Sequence, residues 1–198
     1  MKQSALRMST LVTNLLDMAR LEAGAVQLER VWLPVEEVVG SALAHCATLL
    51  AGRPVQLELA DDLPLIQLDA VLIERVLVNL LENAVKYTPA GSVIRIHACV
   101  ENGEFVLRVD DEGPGLPKGR EARIFEKFER GSKEAATPGV GLGLAICRAI
   151  VEAHAGHISA GNRTPDKGAS FRITLPLGQP PGDDGTSAAQ ADGDESSA

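Results

Sequence analysis

Three groups of residues carry the chemistry this chain can do. Asn79 and Asn83 stand one helical turn apart in the stretch LVNLLENAVKY, with Lys86 following. Asparagine is a poor helix former in mid-helix and costs stability without a partner. Stacked amide oxygens are neutral ligands suited to a hard cation such as Mg2+, which keeps phosphates and waters around it. Lys86 offers a phosphate a point charge. The second group is Asp111, followed by Gly113-Pro114-Gly115. A partly buried carboxylate there can accept a hydrogen bond from an exocyclic amino group such as that of adenine, whereas the blander reading is a surface turn. The third is the alternation Gly139, Gly141, Gly143, which lets backbone approach an anion at a helix start. It also reads as a hinge, and a lid needs hinges. In this order the groups outline a nucleotide pocket.

The elements that must position these residues follow from the periodicity. A helix over about Ala70–Tyr87 places Ile73, Val76, Leu77, Leu80 and Ala84 on an apolar stripe, with Arg75, Asn79, Glu82, Asn83 and Lys86 on a neighbouring face. For Arg75 and Glu82 an ordinary solvated face suffices. Phe105, Leu107 and Val109 alternate along a strand, so Asp111 points inward by the same period. Asn102-Gly103 joins Ser92–Val100 to Phe105–Val109 as a hairpin. Another helix is expected from Pro34, as its first residue, to about Leu50. Strands are expected at 55–59 and, short, at 65–68. A helix over about 140–154 precedes strands at 157–160 and 170–175. The long loop 113–138, rich in Gly, Pro and charge, is anchored by Ile124, Phe125 and Phe128 and is functional or disordered. The order implies an α+β, two-layer sandwich of a mixed sheet with helices on one face. No Walker-type phosphate loop occurs, and the glycine run opens no βαβ unit.

At 198 residues and 45% apolar, the chain suits one domain with appendages. The net charge of −8 falls to −3 without Asp183, Asp184, Asp192, Asp194 and Glu195 of the tail. A mildly acidic body argues against nucleic-acid binding. Cys46, Cys99 and Cys147 form no C-x-x-C pair and read as buried small apolar residues in a reducing compartment. No apolar run approaches the roughly 20 residues of a membrane span. The expected division is a helix over 1–24 with a wide apolar stripe (Leu11, Leu15, Met18), suited to a bundle, then a domain over 25–177 and an acidic disordered tail over 178–198.

These stretches resemble the catalytic ATP-binding region of sensor histidine kinases, in the superfamily of DNA gyrase B, the ninety-kilodalton heat-shock chaperones and MutL. The boxes LVNLLENAVKY, VDDEGPGLP, IFEKFER, GVGLGLAICRAIVEAH and GASFRITLPL occur in the family's order over about residues 8–177. A closer similarity, in NLLDMARLEAG and IFEKFERGSKEAATPGVGLGLAICRAIV, is to the potassium- and turgor-responsive Kdp-type sensors. The resemblance implies Mg2+ at Asn83 with Asn79 beside it, phosphate at Lys86, adenine beside Tyr87 and its amino group on Asp111. It implies a pocket and lid shaped by Gly113, Gly115, Phe125, Phe128, Gly139, Gly141, Leu142, Gly143 and Leu144. Asn79 and Lys86 are the catalytic candidates, and ATP and Mg2+ the ligand and cofactor.

One departure matters. The family's acceptor box, histidine followed by Glu-Leu-Arg-Thr-Pro, is not found around His45, His97, His154 or His157. His154 reads as a packed or dipole-compensating residue near a helix end. The first helix resembles the second of the dimerisation hairpin, so the chain is expected to bind ATP without phosphorylating itself. The implied partners are an acceptor helix of the same kinase, a response regulator and a second protomer. The implied setting is the cytoplasmic side of an inner-membrane protein. Two other functions stay open: an ATP-hydrolysing clamp of the gyrase or chaperone type, and a nucleotide-gated docking module. The clamp relatives use a glutamate where Asn79 stands, and an amide cannot act as that base.

Overall fold

Period-two alternation builds the sheet that everything else rests on. In the computed structural model, which describes residues 27–127, 141–164 and 167–179, seven strands and three helices follow one another. They are β1 (Val31–Leu33), α1 (Val35–His45), β2 (Val55–Leu59), β3 (Ile66–Leu68) and α2 (Ala70–Tyr87), then β4 (Ile94–Glu101), β5 (Glu104–Asp110), α3 (Gly143–Ala153), β6 (His157–Asn162) and β7 (Ala169–Pro176). A short 3-10 turn at Arg123–Phe125 lies between β5 and α3. The main sheet has the order β2-β4-β5-β7-β6, with β2 parallel to β4 and the other pairs antiparallel. β1 and β3 form a separate antiparallel ribbon.

One face of the sheet is apolar and meets the helices. Ile94, Ile96 and Ala98 of β4, Phe105, Leu107 and Val109 of β5, and Phe171, Ile173 and Leu175 of β7 are buried there. The core also takes in Ile73, Val76, Leu77, Leu80, Leu81 and Ala84 of α2 and Ala145, Ile146, Ile150 and Val151 of α3. Each large aliphatic side chain removed from water contributes about 1.5–3 kcal/mol before chain entropy is set against it. The other face is polar: Arg95, His97, Arg108 and Arg172 line it, paired with Glu112, Glu58, Asp110 and Glu101. This is the expected α+β layer pair.

Several local expectations change. Pro34 is the N-cap of α1, extended at φ −68 and ψ 136, not its first residue. The helix stops at His45, because residues 46–50 form turns, with Leu50 N–H bonded to the Cys46 carbonyl. Cys46 and Cys147 are buried as expected, but Cys99 is half-exposed on the polar face, its Sγ 3.3 Å from Glu101 Oε1. The helix proposed for residues 1–24, Phe128, Gly139 and the tail from residue 180 lie outside the described residues.

Both helices that bear the candidate residues are held at their remote ends by one buried node. Asp69 caps α2, Oδ1 accepting from Leu72 N–H at 3.1 Å and Oδ2 from Glu29 N–H at 3.1 Å. The Asp69 N–H donates to Nε2 of His154, just past α3, at 3.0 Å. His154 Nδ1 lies 2.8 Å from the Ile150 carbonyl. The neutral Nδ1–H tautomer satisfies both bonds, so His154 is a packed residue. Burial holds its pKa below the usual histidine range, against the opposing effect of the Ile150 carbonyl. Its charging is therefore disfavoured in the fold. The unfolded chain takes up the proton first, and stability falls as pH drops below about 6.5 toward the lowered folded value. Chemical denaturation between pH 7.5 and 5.5 is expected to show this loss. His154→Leu is expected to be less stable at pH 7.5 and flatter across that range.

Candidate nucleotide site

Asn79 and Asn83 lie half-buried on α2. Neither side chain takes a hydrogen-bond partner among the described residues. The end of the helix is firmly held. Thr88 Oγ1 donates to the Ala84 carbonyl at 2.6 Å, and Arg53 donates to Thr88 Oγ1 at 2.5 Å and to the Val85 carbonyl at 2.9 Å. A guanidinium at a helix C-terminus is favoured by the helix dipole. Just before this anchor, Lys86 Nζ sits 4.7 Å from the Tyr87 ring centroid. Arg53, legible only as part of a breaker, thus positions the turn that carries Lys86 and Tyr87.

Asp111 extends the β5–β7 pairing by one step. Its N–H donates to the Ala169 carbonyl at 2.9 Å, and Ala169 N–H returns a bond to Oδ1 at 3.1 Å. Gly113 N–H donates to the same Oδ1 at 2.8 Å. Both backbone donors use one oxygen, so Oδ2 lies outside these two bonds. Asp111 is 6% exposed, and burial pushes its pKa above the usual carboxylate range, with the two N–H bonds working the other way. Gly113 is required by proximity: a Cβ there would stand 2.9 Å from Asp111 Oδ1 and 3.1 Å from the Tyr87 carbonyl. The Asp111 loop and the end of α2 are therefore in direct contact. Glu112 points elsewhere, accepting from Val93 N–H at 3.2 Å and from Arg95 at 3.0 Å.

The glycine run meets α2 at Asn79, about two turns before Tyr87. A Cβ on Gly143, the first residue of α3, would lie 3.2 Å from Asn79 Oδ1. The N-cap of α3, Leu142, makes no side-chain cap bond, and among the described residues the first N–H groups are open to an anion. Leu142 and Phe125 are buried in the core, and Leu144 packs against it half-buried. The structure thus joins Asn79 to Gly143, Lys86 to Tyr87, and Asp111 to Gly113 and Tyr87. Gly115 is engaged with Asn162 instead. Sequence reasoning overlooked Ala169, which bonds Asp111, and Gly168, whose φ is +133 and whose Cβ would collide with the Asp111 carbonyl.

The donor set fits a magnesium nucleotide. Among the described residues no three His, Cys, Asp or Glu converge as a metal cluster. A cation held here would take amide oxygens and phosphates, which is how Mg2+ is commonly held.

A mixed sheet covered on one face, two amides with no hydrogen-bond partner among the described residues, a glycine helix start beside one of them and a buried carboxylate before a glycine turn define a nucleotide-binding α/β sandwich. The family model described as histidine kinase-, DNA gyrase B-, and HSP90-like ATPase matches residues 68–179, and the chain belongs to that family. It is 56% identical to the sensor protein KdpD of Escherichia coli (strain K12) over 175 residues, covering 88% of this chain and 19% of that one. It is 37% identical to KdpD of Mycobacterium tuberculosis (strain ATCC 25618 / H37Rv) over 187 residues, 90% of this chain and 21% of the relative. The chain thus spans about a fifth of these relatives' length. Among solved structures it resembles full-length ShkA in complex with AMPPNP, at 30% identity and a TM-score of 0.75, over 88% of this chain and 38% of that one. The mycobacterial sensor histidine kinase MprB matches at 27% identity and a TM-score of 0.66, over 76% of this chain and 98% of that one. Among the described residues no helix is long and apolar enough to cross a membrane.

Proposed function

We propose that this chain is the ATP-binding kinase region of a two-component sensor of the potassium- and turgor-responsive type. In this reading Mg·ATP lies between α2 and the start of α3. Its γ-phosphate passes to a histidine on an acceptor helix of the same kinase, for relay to a response regulator. The observation that carries it is the approach of Gly143 to the Asn79 amide, which brings cation ligands and phosphate-binding N–H groups together. Asn83 and Asn79 would hold Mg2+, which supplies charge neutralisation on the phosphates. Lys86 adds positive charge, and Asp111 takes the adenine amino group beside Tyr87. Gly113, Gly115, Gly139, Gly141, Gly143 and Leu144 shape the pocket and its lid, with Leu142, Phe125 and Phe128 as apolar supports. Phosphoryl transfer asks for this positioning and charge neutralisation more than for covalent help.

Kinase chemistry is favoured over hydrolysis by the two acidic or amide candidates described on α2 itself. Asn79 is an amide, and Glu82 is exposed on the side of α2 where its charge acts on Cys46. The domain would work in the cytoplasm, with residues 1–24 completing a dimerisation hairpin in a homodimeric membrane-bound parent. Mixing this chain with a separate polypeptide bearing the acceptor helix, in ATP labelled at the γ-phosphate, is expected to give an acid-labile, base-stable phosphohistidine on that polypeptide. Rapid phosphate release with no labelled protein would instead establish the ATP-hydrolysing clamp.

A further inference from the structure

The loop carrying the proposed adenine acceptor is fixed at two points, and the second is a side chain with no place in the reading above. At its near end Asp111 is bonded to Ala169 of β7. At its far end Leu116 is held by Asn162, the last residue of β6, 46 positions away in sequence. Leu116 N–H donates to Asn162 Oδ1 at 2.5 Å, and Asn162 Nδ2 donates to the Leu116 carbonyl at 3.0 Å. An amide that gives and receives one bond with the same residue imitates a paired strand residue. Its orientation is thereby fixed, since the flipped amide would set donor against donor and acceptor against acceptor.

Two further contacts tie this clamp to Asp111, and a third tightens the clamp itself. Asn162 is the register partner of Ala169, whose N–H bonds Asp111 Oδ1. Arg163, the next residue, reaches the Asp111 carbonyl with Nη1 at 3.3 Å. Gly115, at φ +78, presses so closely on the Asn162 amide that a Cβ there would collide with Oδ1. The span from Asp111 to Leu116 is thus stretched between two neighbouring strands, with Gly113 N–H closing on the carboxylate from within.

We propose that Asn162 is a positioning residue for base selection: by pinning Leu116 it holds the Gly113 N–H on Asp111 Oδ1 and keeps the other carboxylate oxygen aimed at the exocyclic amino group of adenine. This rests on the nucleotide reading above. Asn162 does not touch the base. It acts through the rotation of the Asp111 carboxylate, which, once loosened, distinguishes an amino donor from a keto acceptor less sharply. Because Asn162 is exposed, the fold has little need of it beyond this loop.

The test measures dissociation constants for Mg·ATP and Mg·GTP on the full chain, wild type against Asn162→Ala, with amide hydrogen exchange read at Leu116 and Gly113. The preference for ATP over GTP is expected to shrink roughly three- to tenfold, the scale of one net hydrogen bond. Exchange at both amides should quicken, while the nucleotide-free variant keeps a cooperative melt. Faster exchange with an unchanged ATP-to-GTP ratio overturns the proposal, because a loop tether without a role in selection would give that result. A wild type that binds neither nucleotide refutes the nucleotide reading and this inference with it. Wild-type binding with an unaltered variant refutes the inference alone. Should Asn162→Ala fail to fold, Asn162→Asp keeps the acceptor for Leu116 N–H and removes the donor. An intermediate ratio there supports the clamp, and a wild-type ratio overturns it.

Discussion

Asn83→Ala is expected to weaken Mg2+-dependent ATP binding by roughly 100-fold or more, since even residues that only orient metal ligands act on a scale of about 10–100-fold. The substitution removes a half-buried amide that bonds nothing else among the described residues, so no hydrogen bond among them is lost. Alanine is also the better helix former, by a few tenths of a kcal/mol. The variant should therefore melt no lower than wild type while losing its ligand. Calorimetric titration with and without Mg2+ separates the two effects. Undiminished affinity in the presence of Mg2+ would remove Asn83 from the cation's coordination. Weakening of equal size with and without Mg2+ would show that the amide serves the nucleotide directly.

Asp111→Asn is expected to do more than weaken binding, because the backbone dictates which way the new amide faces. Two N–H groups, from Gly113 and Ala169, converge on Oδ1. An asparagine satisfies them only with its oxygen there, so its NH2 replaces the oxygen that would receive the adenine amino group. Donor then meets donor. An unmade bond of this kind costs about 1–3 kcal/mol, which is roughly 5- to 150-fold in affinity for ATP. The same NH2 suits the keto oxygen of guanine, so the ratio of ATP to GTP affinity should collapse or invert. Competition between the two nucleotides on the variant reads this directly. An unchanged ratio would mean that Asp111 does not face the base. The fold should persist, since burial already disfavours the ionised carboxylate that the substitution removes.

Much of the architecture could be read from the residues because local periodicity and burial agree. The span of α2 was legible to the residue, since its apolar stripe continues unbroken to Tyr87 and Pro89 forbids continuation. Asn79 and Asn83 stood out because nothing about helix stability favours them there. The fastenings around Asp111 were illegible for the opposite reason. Ala169 and Asn162 reach its loop from 58 and 46 positions away, through backbone groups or a side chain that is unremarkable in its own strand. The closeness of Gly168 to the Asp111 carbonyl exists only once β6 and β7 lie beside β5. β1 escaped notice because three residues of a two-stranded ribbon carry too little alternation to register. Cys99 was misjudged because β4 buries only alternate residues, and the strand's phase turns this one outward.

The entry of the chain into the domain has a mechanical side. Glu29 is fastened to the cap of α2 through Asp69, and Arg30 Nη2 grips the Ala153 carbonyl at the end of α3 at 2.7 Å. Two consecutive residues thus hold the rear of both jaws around the nucleotide crevice. A pull on positions 29 and 30 would therefore load both helices at once, as on paired handles, at the ends away from Gly143.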